Sequence, residues 1–325
     1  MPSIKEELVR RWADPEISLI NRRLEALDVL LFHSYEPSLS PGDPFAVRFE
    51  AWLGNVESDD EKKLMFRLAA SLFYIGPKEF IELYRFAYNG PIARWLIDQA
   101  NINVLSPHAA TEMEKAVRET WFCPITDSMR INSFFHINNI PAENNHRPDW
   151  RSLLCFGDET KIREYMTANG LKRVVLLEDF VGGGSQVSQA LEFANGFSPE
   201  VSTLVIPLII CPAGLAHLRE LEAVSSLRIE PIVTVPESEF VPATPVTGEL
   251  PFYTELRNLA LSTYNEVAGG TPIGHFAPYH PLGYPDNAPT GGLVVMFSNT
   301  PDNTLPMIHW RSNQWAPLFP RHRRV

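Results

Sequence analysis

An α/β fold with a doubly wound, mainly parallel sheet is what the sequence predicts, and three observations carry the prediction. Apolar runs at Arg173–Leu177, Thr203–Ile210 and Ile229–Val235 read as strands buried on both faces. Between them, Gly184–Asn195 and Ala213–Ser225 read as helices, so strand and helix alternate at βαβ spacing. The chain has 325 residues, 45% of them hydrophobic, enough for one large domain or two ordinary ones.

Taken in order, residues 1–120 read as a helical region packed on the core. Leu64, Leu68, Leu72 and Ile75 recur near helical spacing behind Asp59-Asp60-Glu61, acids that suit a helix N-terminus. Pro77–Asn89 continues the helical pattern, and Gly90-Pro91 is expected to break it. Residues 121–236 form the expected α/β core. It opens with a short strand at Phe134–Ile137 and a long polar loop at Asn138–Asp149, NNIPAENNHRPD. Asp158 caps a helix running to Ala168, closed by Asn169-Gly170. Residues 237–325 are proline-rich and read as a cap, with a helix at Phe252–Glu266 and strands at Leu293–Phe297 and Met307–Trp310.

Composition excludes several classes. The amino terminus carries no apolar run, and no stretch approaches the roughly 18–20 apolar residues of a membrane helix. Three scattered cysteines argue against a disulfide framework or a zinc cluster and fit a reducing cytoplasm. A formal net charge of −11 is the wrong sign for bulk electrostatic binding of nucleic acid.

The chemistry concentrates in Val174–Gln189, VVLLEDFVGGGSQVSQ. Its apolar run delivers the chain to the carboxyl edge of the sheet, where open α/β folds bind ligands. Gly182, Gly183 and Gly184 let backbone approach an anion, and the helix that follows points its N-terminal N–H groups at it. Val181, Ser185 and Gln186 complete this loop, with Ser185 offering a hydroxyl donor. Glu178 and Asp179 are anions and cannot hold a phosphate. They suit vicinal hydroxyls or, through water, Mg²⁺. A phosphate nest beside hydroxyl-binding carboxylates is what a phosphorylated pentose requires. A Walker A loop would need a lysine before its hydroxyl residue, and a dinucleotide fingerprint would put its acid about 20 residues after the glycines. Neither order is present.

This segment resembles the signature of type I phosphoribosyltransferases. The resemblance implies that Glu178 and Asp179 contact ribose hydroxyls and that residues 181–186 bind the 5-phosphate of 5-phosphoribosyl-1-pyrophosphate. Gly182 stands where that family usually has Thr or Ser, and the pyrophosphate loop that the family places after its first strand is not recognisable. More of the chain is similar to the phosphoribosyltransferase-like domains of bacterial conflict systems, including retron operons. The residues carrying that likeness are Trp52-Leu53, Phe135-His136-Ile137-Asn138, His280-Pro281-Leu282-Gly283 and Trp315-Ala316-Pro317-Leu318. It implies an antiphage effector with a protein or nucleoprotein partner.

His136 and Arg147 are candidates for neutralising leaving-group charge, against a buried, hydrogen-bonded histidine and a solvated arginine as plainer roles. Lys172 and Arg173 read as surface charges. The late aromatics Phe276, Tyr279, Trp310 and Trp315 read as cap core before base-stacking groups. The leading expectation is Mg²⁺-assisted pentosyl transfer or hydrolysis. Its rivals are a non-catalytic nucleotide sensor and a toxin acting on a pool such as NAD.

Overall fold

The computed structural model describes residues 4–37, 42–141, 147–149, 159–196, 201–277, 279–285 and 287–322. The chain divides into two compact units, Met1–Pro77 with Glu237–Val325, and Lys78–Pro236. The boundaries expected at 120 and 121 therefore shift. Residues 78–120 belong to the unit that contains the sheet, and the two chain ends build a unit of their own.

That terminal unit holds helices α1 (Ile4–Trp12), α2 (Pro15–Leu30), α3 (Phe45–Leu53) and α4 (Asp59–Ala70), then strand β1 (Phe73–Ile75). Asp14 caps α2 by accepting from the Glu16 N–H at 2.9 Å, and Pro15 fits the first helical turn. The second segment is joined to the first through the core. The indole N–H groups of Trp52 and Trp315 both donate to the Met307 carbonyl at 2.8 Å. Phe276, Tyr279, Trp310 and Trp315 are buried in that core, as expected of a cap interior.

The second unit contains α5 (Pro77–Ala87), α6 (Ala93–Ala100), α7 (Ala109–Arg118), β2 (Thr120–Pro124), α8 (Ile131–Ile137) and α9 (Glu159–Ala168). Then follow β3 (Arg173–Val181), α10 (Ser185–Asn195), β4 (Ser202–Ile210), α11 (Pro212–Ala223), β5 (Arg228–Ile229) and β6 (Val233–Thr234). The sheet is parallel in the order β2-β3-β4-β5, and β6 also pairs with β4. Period-two alternation sends Trp121, Cys123, Val174, Leu176 and Val205 to the face covered by α9, α10 and α11. Phe122 meets Phe134 and Phe135 of α8, at ring separations of 6.2 and 6.4 Å, and Phe134 meets Tyr84 of α5 at 5.8 Å. With both faces covered, the strands need continuous apolar sequence, as β3 and β4 show. The fold is α/β, as the sequence predicts.

The terminal unit also contains α12 (Pro251–Ser262), α13 (Tyr264–Ala268), β7 (Val294–Met296) and α14 (Pro306–His309), and β7 pairs in parallel with β1.

Several expectations are corrected. Phe134–Ile137 is helical, because both phenylalanines are buried on one side of a short helix instead of alternating. The first strand of the core is Thr120–Pro124. Met307–His309 lies on the short helix that Pro306 opens, proline being suited to a first helical turn, and Trp310 is its extended C-cap. Gly90-Pro91 does not break the chain; Tyr88–Ile92 passes through as a π-helical turn, whose wider spacing tolerates the missing proline N–H. Ile75 ends a strand instead of the preceding helix. The third strand is split into β5 and β6. Arg173 is buried beside Glu119, 3.6 Å away, and is not a surface charge. Asp158, Cys155 and residues 142–146 of the polar loop lie outside the described residues. Among the described residues, no helix is long and apolar enough to cross a membrane.

Candidate phosphate and pentose site

The site is built where β2 and β3 end. Parallel register sets Pro124 against Leu177, and the Ile125 N–H donates to the Leu177 carbonyl at 2.8 Å, so the next residues run alongside the acidic pair. β3 extends through Val181, which places Glu178 and Asp179 inside its last turn of pleat, 2% and 4% exposed. Carboxylates this deep require donors. The Thr126 N–H and hydroxyl donate to Glu178 at 2.9 and 2.7 Å, and the Ser128 hydroxyl donates to Asp179 at 2.9 Å. Thr126 and Ser128 hydroxyls also meet each other at 2.7 Å. Tyr84 is buried nearby, and burial, with the Asp179 charge adding to it, pushes its phenol well above the ordinary tyrosine range. The Arg130 charge acts on the same phenol in the opposite sense, more weakly.

Past Val181 the chain turns through Gly182 and Gly183 to Gly184, which adopts φ +92° and starts α10. Glycine supplies no side-chain cap, so the N–H groups of the first turn present their positive ends to whatever lies above the loop. Ser185 and Gln186 are exposed there, and Gly183 with them, while Val181 is buried and anchors the loop.

Helix α11 braces this loop from below. A Cβ on Gly214 would fall 2.4 Å from the Gly182 carbonyl oxygen, so only glycine allows the approach. Farther along α11, His217 Nε2 lies 2.6 Å from the Ser188 hydroxyl, which donates to the Gly184 carbonyl at 2.9 Å. The same imidazole would lie 2.9 Å from any Cβ on Gly184. Loop shape is therefore fixed at both ends by one neighbouring helix.

The structure thus brings together Glu178, Asp179 and the 181–186 loop at one edge of the sheet. It does not bring Arg147 there. That guanidinium donates to the carbonyls of Thr120 and Arg118, at the opposite end of β2, where it ties down the polar segment. His136 is exposed in the last turn of α8, not buried as its plainer reading held. Sequence reasoning missed Thr126, Ser128, Arg130, Ser188 and His217. The first three follow the first strand of the core, Thr120–Pro124, which the sequence reading placed at Phe134–Ile137. Its legible signal was the run Trp121-Phe122-Cys123 ahead of the turn formers Pro124, Thr126, Asp127 and Ser128. Cys211, at the entrance to α11, is buried, and burial pushes its thiol up to about 12.

A parallel sheet, a glycine nest at a helix N-terminus and a buried acidic pair on the adjoining strand form the arrangement expected of a ribose-phosphate binding domain. No curated protein matches the chain, and no solved structure does. One family model, PRTase-CE, matches residues 49–321, well over half the sequence and all of the sheet unit. The chain belongs to the PRTase-CE family, and its α/β domain is phosphoribosyltransferase-like.

Proposed function

We propose that this domain binds 5-phosphoribosyl-1-pyrophosphate, or a closely related ribose-phosphate nucleotide, and transfers its phosphoribosyl group. The observation that carries the reading is the juxtaposition, on one strand and the turn after it, of two buried carboxylates with an uncapped glycine nest. The nest holds the 5-phosphate through backbone N–H groups and the dipole of α10. Glu178 and Asp179 accept hydrogen bonds from the ribose hydroxyls and fix the ring. As the bond at the anomeric carbon breaks, positive charge builds on the ring, and two buried anions beside it favour that state over the neutral sugar. Arg130, exposed at the start of α8 just after the 125–129 loop, takes the place of Arg147 as the candidate cation for the leaving group.

Among the described residues no group of three His, Cys, Asp or Glu side chains stands together as a metal site, so a Mg²⁺ here would be held by Glu178 and Asp179 through water, as hard oxygen donors allow. When bound, the ion would supply neutralisation of pyrophosphate charge. The acceptor of the phosphoribosyl group is left open by this geometry. Service as an effector of a bacterial antiphage system is the biological setting that the sequence resemblance implies.

A second reading, a non-catalytic ribose-phosphate sensor, is favoured by one observation: both oxygens of Glu178 are already engaged by Thr126. Pyrophosphate release separates the two readings. Release that depends on Asp179 is expected of the transferase; ligand binding without any release would establish the sensor.

A further inference from the structure

The acidic pair is not bare. Two hydroxyls, from Thr126 and Ser128, lie 2.7 Å apart and each donates to one of the two carboxylates, at 2.7 and 2.9 Å. Two adjoining hydroxyls on neighbouring acids have the pattern that a vicinal diol on one sugar ring would make. Both carboxylates are buried, so space for hydrogen is tight on their accepting sides. A ribose cannot donate along these directions while the loop does. We infer that Thr126 and Ser128 are the built-in occupants of the pentose diol subsite, and that a ligand enters by displacing them.

This inference rests on the ribose reading of the site and deepens it by naming its selectivity. A ligand must offer two neighbouring hydroxyls to replace those it removes; a deoxy sugar restores only one of the two hydroxyl donors, which is costly. Thr126 and Ser128 therefore determine specificity for an intact cis-diol without touching the bound ligand in their present positions. They also lower its apparent affinity, because only the loop-open fraction of molecules can bind. The displaced segment is 125–130, which carries Asp127 and leads into Arg130, so diol binding shifts both residues at the same edge.

The sign of a mutational effect tests this. Ser128→Ala and Thr126→Val/Ser128→Ala are titrated calorimetrically with ribose 5-phosphate, 2-deoxyribose 5-phosphate and inorganic phosphate. Removing the competing hydroxyls is expected to tighten ribose 5-phosphate, by about tenfold in the double variant, the scale of one lost charged hydrogen bond. Inorganic phosphate, which has no diol, is expected to bind as to the native chain. Weaker or unchanged ribose 5-phosphate binding overturns the inference, as does equal tightening for inorganic phosphate. In the native chain, saturation with ribose 5-phosphate is expected to speed hydrogen exchange at the Thr126 amide, and unchanged protection overturns the inference without any variant. If neither ribose 5-phosphate nor phosphate binds the native chain, the ribose reading itself fails, and that result is distinct from binding with the wrong mutational sign.

Discussion

Substituting Gly214 by alanine adds one methyl group to α11 and tests whether that helix sets the shape of the phosphate loop. Two effects oppose each other. Alanine is the better helix former, by about 0.8–1 kcal/mol in a helix interior. Against it, the new Cβ would stand 2.4 Å from the Gly182 carbonyl oxygen and 3.1 Å from Val181 Cγ1, where real Cβ contacts essentially never fall below 3.0 Å. The obstructing atom is backbone, so loop and helix must part by at least about 0.6 Å. Overpacking of this kind costs about 1–3 kcal/mol, which meets or exceeds the propensity gain, itself an upper bound for a residue in the first turn. The net loss of about 0–2 kcal/mol corresponds to a melting midpoint lower by roughly 2–4 °C per kcal/mol. Function is expected to suffer more than stability, because binding geometry tolerates only about 0.5 Å. Calorimetry with inorganic phosphate and ribose 5-phosphate, beside thermal melts, is the assay, and affinity for both ligands is expected to fall by about tenfold or more. A Gly214→Ala chain that melts and binds like the native one would refute the claim that this contact shapes the nest.

His217→Ala should weaken ribose 5-phosphate binding several-fold, roughly the value of one hydrogen bond, by releasing Ser188 and Gly184. His217→Gln, which restores a side-chain donor, should recover most of it, and a glutamine variant no better than alanine would reject a positioning role. In the terminal unit, the Arg257 fork donates to both oxygens of Glu249 at 2.8 and 2.7 Å and holds that carboxyl below its ordinary value. A depressed folded value means stability that is full above the unfolded value of about 4.3–4.5 and is lost as pH falls through the lower folded one. Urea midpoints between pH 3 and 7 should therefore drop at the acid end in the native chain and stay flatter in Glu249→Gln, with parallel curves counting against the pair. The Cys211 thiol, raised to about 12 by burial, should resist a thiol reagent at pH 8 and react once urea unfolds the chain; prompt labelling at Cys211 itself in the native protein, located by peptide mass mapping, would contradict its placement.

Legibility tracked the kind of signal each element gives. The strands at 173–181 and 202–210 are buried on both faces, and continuous apolar runs of that length have few other uses. The glycine loop was readable because contiguous glycines after an acidic pair serve backbone approach, and Gly184 indeed takes a positive φ. Short apolar runs misled: Phe134–Ile137 and Met307–His309 are helical, since three or four residues hold barely one helical turn and cannot display a period. One such misreading had a large consequence. With the first strand misassigned, the loop at 125–130 had no place in the site, and the donors on Glu178 and Asp179 stayed hidden. Arg147 was misjudged for another reason, because the end of the sheet that a loop residue reaches is a tertiary fact. His217 and Gly214 lie some 30 residues beyond the loop they support, and no local pattern links them to it.

The most direct test of the central claim is calorimetric titration of the native chain and of Asp179→Asn with 5-phosphoribosyl-1-pyrophosphate and Mg²⁺. The substitution keeps size and shape while removing the charge that accepts from the ribose. Saturable heat for the native chain, reduced by about tenfold or more in affinity for Asp179→Asn, is the result this account predicts. No heat with the native chain, or equal affinity in both, would contradict it.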